Sequence, residues 1–377
     1  MSGISRLRKM LDNVEDGAPV ISVYFPVPHG KDSRKIRKKI SKNIAKEIFR
    51  RAATRGFDLK SIEEGMLVLY DIFDEIVLDK RGQLTHVIFL SPRFPRVERF
   101  EINAELPPLG VVDTLPVLSP LLMALDEADP YLFLFLDGSG GKLSRYRDDT
   151  LTWLWEEKGD VPKKVKYGGW YGLESSRITR HVEGYQQKLV KDVVARCQEE
   201  VRKQRPEGLI LLASSNVYSL AAEMLERDFS DLFVRCQNAE ISHYTGKEAE
   251  SAIRELLAEV RVERDMEEIQ SVTEGGATGT PPLMRIDEIL KALHEGKVRK
   301  VVLKRGADYA FNFCESCLLT SLDAHDCPIC EAAMKRRINV AEMIIRLALQ
   351  TGAEIKFVSR WTLPETTRVA ASLRYAA

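Results

Sequence analysis

Apolar residues in this chain follow two rhythms, and their alternation lays out the elements. The apolar runs 131–136 (YLFLFL) and 208–213 (GLILLA) read as buried strands, and further strands are expected at 20–25 (VISVYF, stopped by Pro26 and Pro28), 85–90, 298–303 and 354–358. Stretches with apolar residues every three or four positions read as helices at 4–11, 33–54, 219–226, 247–270, 286–293 and 340–350, and another long helix ends near Lys203. Residues 65–73 and 75–78 read as two further strands, the second joined to 85–90 by a hairpin loop over 79–83. Strands are also expected at 142–146, 151–156 and 233–236. Prolines 92, 95, 107, 108, 116 and 120 read as punctuation.

A chain of 377 residues is too long for one typical core. The alternation predicts an α/β protein of three domains: a mixed α/β domain over 1–127, a second α/β domain over 128–273, and an α-β-α sandwich over 281–377 that carries a cysteine insertion. The Gly- and Pro-rich stretch 274–282 separates the last two.

Charge changes the picture only locally. Lys+Arg and Asp+Glu both number 56, so the chain as a whole is no basic nucleic-acid binder. The helix 33–54 departs from that balance: Arg34, Lys35, Arg37, Lys38, Lys39, Lys42, Lys46, Arg50 and Arg51 stand against Glu47 alone, with Ile36, Ile40, Ile44 and Ile48 as its apolar stripe. Phosphate contact and a merely solvated face both fit such a run; its one-sided sign favours phosphate. A second local feature is 163–188, KKVKYGGWYGLESSRITRHVEGYQQK. Gly168 and Gly169, flanked by Tyr167, Trp170 and Tyr171, form a turn leading into a helix where Arg177, Arg180 and His181 share one face and Lys188 follows. This reads either as a probe for a crowded, phosphate-rich place or as a plain surface loop before an amphipathic helix.

Cys314, Cys317, Cys327 and Cys330 form two CxxC knuckles. The spacing supplies four thiolates to one tetrahedral ion and points to a structural zinc site with no open catalytic position; redox dithiols are the competing chemistry. Cys197 and Cys236 read as buried, inert thiols. Gly138-Ser139-Gly140-Gly141-Lys142 lacks phosphate-loop spacing and reads as a hairpin turn. No stretch approaches the roughly 20 apolar residues of a membrane span, and no signal peptide opens the chain, so the cytoplasm is the expected location.

Taken in order, the Gly168-Gly169 loop opening onto a basic helix, the cysteine ribbon in the last α-β-α domain and the chain end Val369-Ala370-Ala371-Ser372-Leu373-Arg374-Tyr375 resemble one family. It is the archaeo-eukaryotic class of release factors and Pelota, whose closing strand reads (G)IAAxLRY. The stretches ISVYFPV (21–27) and SPLLMALDEADPYLFLFLD (119–137) look like its bacterial and archaeal branch.

The resemblance implies an N-terminal domain aimed at the decoding centre and a central ribonuclease-H-like domain whose loop 167–171 points at the peptidyl-transferase centre. It also implies an L7Ae-like C-terminal domain, with the inserted zinc ribbon, that contacts a translational GTPase of the EF-Tu type. Arg34, Lys35, Arg37, Lys38, Lys39, Lys42, Arg177, Arg180, His181 and Lys188 would meet ribosomal RNA of both subunits in the A site. Neither DNA nor a membrane is an expected partner. Release factors carry Gly-Gly-Gln at the loop tip, and here the third position is Trp170. Ser41-Lys42-Asn43-Ile44 is only a scrambled echo of their codon-reading Asn-Ile-Lys-Ser. The implied role is thus a binding plug without catalytic residues, as in Balon-type ribosome hibernation factors. The alternatives are Pelota-like rescue of stalled ribosomes, or a peptidyl-tRNA hydrolase using His181 or Glu174 to position water.

Overall fold

After helix α1 (Gly3–Leu11), strand β1 (Val20–Pro26) is the spine of an antiparallel sheet with β2 (Thr85–Leu90), β3 (Glu98–Ile102) and β4 (Leu109–Asp113), in the order β3-β2-β1-β4. Its unbroken apolar run follows from cover on both faces. Ile21, Val23 and Phe25 pack against helices α2 (Ser33–Arg55) and α3 (Leu59–Glu75), while Val20 and Tyr24 pack toward α1 and α4 (Ser119–Glu127). The structure, a computed structural model, describes residues 3–14, 18–28, 32–76, 84–91, 97–127, 130–147, 150–159, 172–229, 232–240, 246–274, 280–307, 309–321, 323–364 and 366–375.

Two expectations are corrected here. Residues 65–73 are helical, not a strand: Asp58 caps α3 by accepting from the backbone N–H groups of Lys60 and Ser61, and the core positions Ile62, Met66, Leu69, Ile72 and Phe73 repeat at helical spacing. Exposed Leu67, Val68 and Tyr70 fill the gaps between them and make the run look continuous. Glu75 ends α3 rather than opening a strand, and the hairpin expected over 79–83 lies outside the described residues. The segment read as proline punctuation contains β3, β4 and α4.

The central unit, Ala128–Arg261, is built on strands β5 (Tyr131–Asp137), β6 (Gly140–Arg147) and β7 (Thr150–Lys158). Then come α5 (Gly172–Gln204), β8 (Gly208–Ala213), α6 (Ser215–Asp228), β9 (Phe233–Asn238) and the first part of α7 (Gly246–Thr273). The order β7-β6-β5-β8-β9, with β5, β8 and β9 parallel and β6 and β7 in antiparallel succession, is that of a ribonuclease-H-like sheet. Leu132, Leu134 and Leu136 face α5 and α6, and Phe133 and Phe135 face Ile253, Leu257 and Val260 of α7. The GSGGK segment is the β5–β6 turn: Asp137 Oδ1 accepts from the N–H groups of Ser139 and Gly140. A Cβ at Gly140 would meet the Glu157 carbonyl oxygen at 2.4 Å, so only glycine fits.

The last part holds α8 (Ile286–His294), β10 (Val298–Lys304), β11 (Ala310–Phe313), β12 (Thr320–Ser321), β13 (Lys335–Asn339), α9 (Val340–Thr351), β14 (Glu354–Val358) and β15 (Val369–Leu373). Sheet β14-β10-β15 lies between α8 and α9 on one face and Ile269 and Val272 of α7 on the other, the expected helix–sheet–helix layering. The first five residues of the chain-end motif, Val369–Leu373, form β15 and are buried, whereas Tyr375 is exposed. Among the described residues no helix is long and apolar enough to cross a membrane.

Met1–Glu127 and Val262–Ala377 form one compact unit. A single apolar core runs from α1 and one face of the first sheet through α4 into α8 and α9. Inside it lies Glu342, 3% exposed, in the first turn of α9. Its carboxylate accepts from the backbone N–H of Leu118 (2.6 Å) and of Ser119 (3.2 Å) and from the Ser119 hydroxyl, at the start of α4. Tyr24 donates to the Val117 carbonyl (2.7 Å) beside it. At the rim, Asp126 pairs with Lys356 (3.0 Å) and Arg305 (3.5 Å), and Arg346 donates to the Val14 carbonyl.

Burial pushes the Glu342 carboxyl up from 4.5 to about 7, against the hydrogen bonds from Ser119 and Leu118 that favour the anion. A raised carboxyl pKa means the folded state holds the proton more tightly. This contribution to stability is complete below pH 4.5 and is lost as pH rises through about 7. Urea unfolding should therefore show wild type losing on the order of 2–3 kcal/mol across that window relative to Glu342→Gln; parallel pH profiles for the two proteins would refute the assignment.

Candidate functional site

The unpaired positive charge of α2 is densest where the apolar stripe runs out. Ile44, Ala45, Ile48 and Ala52 are buried, Ile40 is half-buried and Ile36 is 42% exposed. At the C-terminal end, Gly56 closes the helix with φ 73°, and Glu47 neutralises Arg50 (2.6 Å) and Arg51 (2.7 Å). Hydrogen bonds from those two guanidinium groups hold the Glu47 carboxyl down to about 2. The N-terminal half differs. Arg34, Lys35, Lys38, Lys39 and Lys42 are exposed, and among the described residues none has an ion-pair partner. Arg37 is half-buried: it donates to the Ile76 carbonyl (3.4 Å) and lies 3.9 Å from Asp74. Arg34, Lys35, Arg37 and Lys38 line an open groove together with Ile76. The positive end of the helix dipole adds to this field, and the combination attracts anions such as backbone phosphates.

The expected probe loop, Tyr167, Gly168, Gly169, Trp170 and Tyr171, lies outside the described residues. Arg177, Arg180 and His181 lie in α5 at the i, i+3, i+4 spacing read from the sequence, and Lys188, further along the same helix, is exposed. These residues belong to the central unit and α2 to the other.

The four cysteines come together. Cys314 and Cys317 sit in the turn between β11 and β12, and Cys327 and Cys330 in a second turn closed by the Asp326–Ala333 bridge. In both turns the residue after the second cysteine, Leu318 or Glu331, takes a left-handed backbone (φ 55° and 59°), which folds the chain back around the sulfurs. All four Sγ atoms lie within 4.8 Å of one another, and Cys314 Sγ and Cys330 Sγ are 3.6 Å apart. A tetrahedral four-sulfur site with bonds of about 2.3 Å has edges of about 3.8 Å, so the donor set fits a single thiophilic ion. The thiols are unequal without one. Backbone N–H groups, that of Cys330 first, bring Cys327 down to about 7, whereas the hydrogen bond with Cys330, and then burial, push Cys317 up to about 12. Sharing a divalent cation removes that conflict. Cys197 and Cys236 are apart from this cluster, and burial drives both up to about 12.

Glu342 and its partners at α4 are functional in the sense of holding the unit that presents α2, and they escape a sequence reading. Asn339-Val340-Ala341-Glu342 has the form of a capping box. Asn339 does cap α9 through the Ala341 N–H, but Glu342 reaches to another helix instead of back to its own.

No family model and no curated protein matches the sequence. Among solved structures the chain is similar to an archaeal translation termination factor, aRF1, at 14% identity over 99% of this chain and 97% of that one, with a TM-score of 0.24. It is similar to Pelota from Archaeoglobus fulgidus at 13% identity, 78% and 79% coverage and a TM-score of 0.32. It is also similar to Dom34 from S. cerevisiae, a translation termination-like factor involved in RNA quality control pathways, at 9% identity, 80% and 83% coverage and a TM-score of 0.37. The low TM-scores leave these as likenesses and assign nothing to individual residues.

Around the cysteines the apolar content is small, Met334 with part-buried Leu319 and Ala324, while Phe313 of β11 belongs to the main core. Metal should therefore supply most of its folding energy. A strong chelator is expected to make 310–335 protease-sensitive, and Cys314→Ser with Cys327→Ser should do the same without chelator. A ribbon that resists protease after complete metal removal contradicts this.

Proposed function

We propose that this chain is a ribosome-binding factor that occupies the A site of idle ribosomes and covers the decoding and peptidyl-transferase centres, a hibernation role. The observation that carries the reading is the unpaired cationic half of α2. A chain with equal numbers of acids and bases concentrates five exposed cations, without an ion-pair partner among the described residues, on one helix end, and pairs Arg50 and Arg51 with Glu47 toward the other. Such a surface suits ribosomal RNA phosphates. The resemblance of the glycine loop, cysteine ribbon and closing strand to release factors and Pelota supports the ribosome as the source of that RNA.

In this reading the 167–171 loop, with Arg177, Arg180, His181 and Lys188 behind it, enters the peptidyl-transferase centre. Trp170, standing where a catalytic glutamine would stand, makes it a plug. The ion in the ribbon is a structural Zn2+, held by Cys314, Cys317, Cys327 and Cys330. The C-terminal helix–sheet–helix layer meets a translational GTPase, and the protein works in the cytoplasm.

Sedimentation of the full chain with vacant ribosomes tests the reading. Lys35→Glu, Lys38→Glu and Lys39→Glu together, with the anchored Arg37 left alone, should weaken binding by about tenfold or more and flatten the log–log salt dependence by roughly 0.7–0.9 per lost phosphate contact. Unchanged binding by this variant at physiological salt defeats the assignment. Release of peptide from ribosome-bound peptidyl-tRNA, abolished by Gly169→Ala, would make the protein a hydrolase instead.

A further inference from the structure

The four cysteines of the ribbon differ in access. Cys314 and Cys327 are buried and Cys317 is half-buried, whereas Cys330 is exposed at the tip of the second turn, where every residue of 328–333 is exposed. Their sulfurs differ in engagement as well. Cys327 Sγ accepts from the Ile329 N–H at 3.5 Å, within its own knuckle. Cys330 Sγ instead lies 3.6 Å from Cys314 Sγ, across the two knuckles. The most accessible of the four thiols therefore has a shielded thiol of the opposite turn against it. Holding an ion asks only that four sulfurs converge. An open sulfur backed by a buried one is, in addition, what a reactive cysteine and a resolving partner require.

We propose that Cys330 and Cys314 form a peroxide-sensitive pair, whose oxidation joins the two knuckles by a disulfide and withdraws two of the four sulfurs from the site. The oxidant is a peroxide, and the step balances with it. The Cys330 sulfur attacks one peroxide oxygen; an S–O bond forms as the O–O bond breaks, and the departing oxygen leaves as water, which gives a sulfenic acid at Cys330. The Cys314 sulfur then attacks the Cys330 sulfur; the S–S bond forms, the S–O bond breaks, and a second water carries off the Cys314 proton. Two thiols lose two electrons, and both peroxide oxygens end as water. The disulfide closes a loop of 16 sequence positions and links the knuckles, which a bond inside either CxxC turn would leave unlinked. Cys317 and Cys327 alone hold a divalent cation far more weakly than four thiolates do, so loss of the ion follows oxidation. That consequence rests on the zinc reading above; the cross-link itself does not.

The test uses the full chain as purified, with its zinc content measured. It is treated with a small excess of hydrogen peroxide, its remaining thiols are alkylated, and it is cut ahead of Asp323 and Asp326, which separates the knuckles. The two cysteine fragments should stay joined until a reductant is added. Zinc should appear in solution in step with the cross-link and be taken up again after reduction. Cys317→Ser and Cys330→Ser each remove one sulfur from the site, so damage to the ribbon is matched between them. Cys317→Ser should cross-link as wild type does, whereas Cys330→Ser and Cys314→Ser should each lower the yield by about tenfold or more. Equal yields from Cys317→Ser and Cys330→Ser, a disulfide confined to one knuckle, or oxidation of Cys330 to sulfinic acid with no cross-link overturns the proposal. A Cys314–Cys330 cross-link in protein that contains no zinc upholds the pair and sinks the zinc reading instead.

Discussion

A buried carboxylate ties the two ends of this chain together. Glu342, contributed by α9 near the C-terminus, accepts hydrogen bonds from the N-terminus of α4 inside a core that neither end could close alone. The first sheet has one face covered by α2 and α3 and the other by α1, α4 and the helices of the last domain. Remove that second cover and Val20, Tyr24, Val87, Phe89 and Phe100 face water, a loss of about 25 cal/mol for each Å2 of apolar surface. Unpaired by any cation in that core, the carboxyl trades charge for burial, so the junction is sensitive to pH near neutrality.

That junction serves the charged surface. An N-terminal α/β layer held on both faces presents the cationic end of α2 from a fixed frame. The balance of 56 acids and 56 bases conceals this, because the charges are sorted by helix and by helix end, not by domain. Glu47 shows the sorting most clearly. By binding Arg50 and Arg51 it weights the free positive charge toward the end of α2 where Arg34 and Lys35 line the groove.

How much was legible in the sequence depended on whether a local pattern had one physical cause. β5 and β8 were plain because strands buried on both faces need unbroken apolar runs. The cysteine cluster was plain because CxxC spacing has few structural meanings, and the isoleucine repeat of α2 was plain at its buried end. α3 was misread because Leu67, Val68 and Tyr70, which the core does not use, filled the gaps in its helical period. β3 and β4 are short strands among prolines, below what periodicity can resolve. Glu342 is invisible for a different reason: nothing local marks it out, and its partners lie 223 and 224 positions away in sequence. Which cations of α2 are free is only partly a tertiary fact: Glu47 takes Arg50 and Arg51 at i, i+3 and i, i+4, a spacing visible in the sequence, whereas folding brings up the Ile76 carbonyl and Asp74 that hold Arg37.

The central claim is that α2 faces ribosomal RNA at the decoding centre. A density map of vacant ribosomes incubated with the full chain tests it directly. The account predicts α2 within contact distance of decoding-centre phosphates through Arg34, Lys35, Lys38 and Lys39, with the Gly168-Gly169 loop in the peptidyl-transferase centre. A map with the protein bound elsewhere, or with α2 turned to solvent, contradicts it.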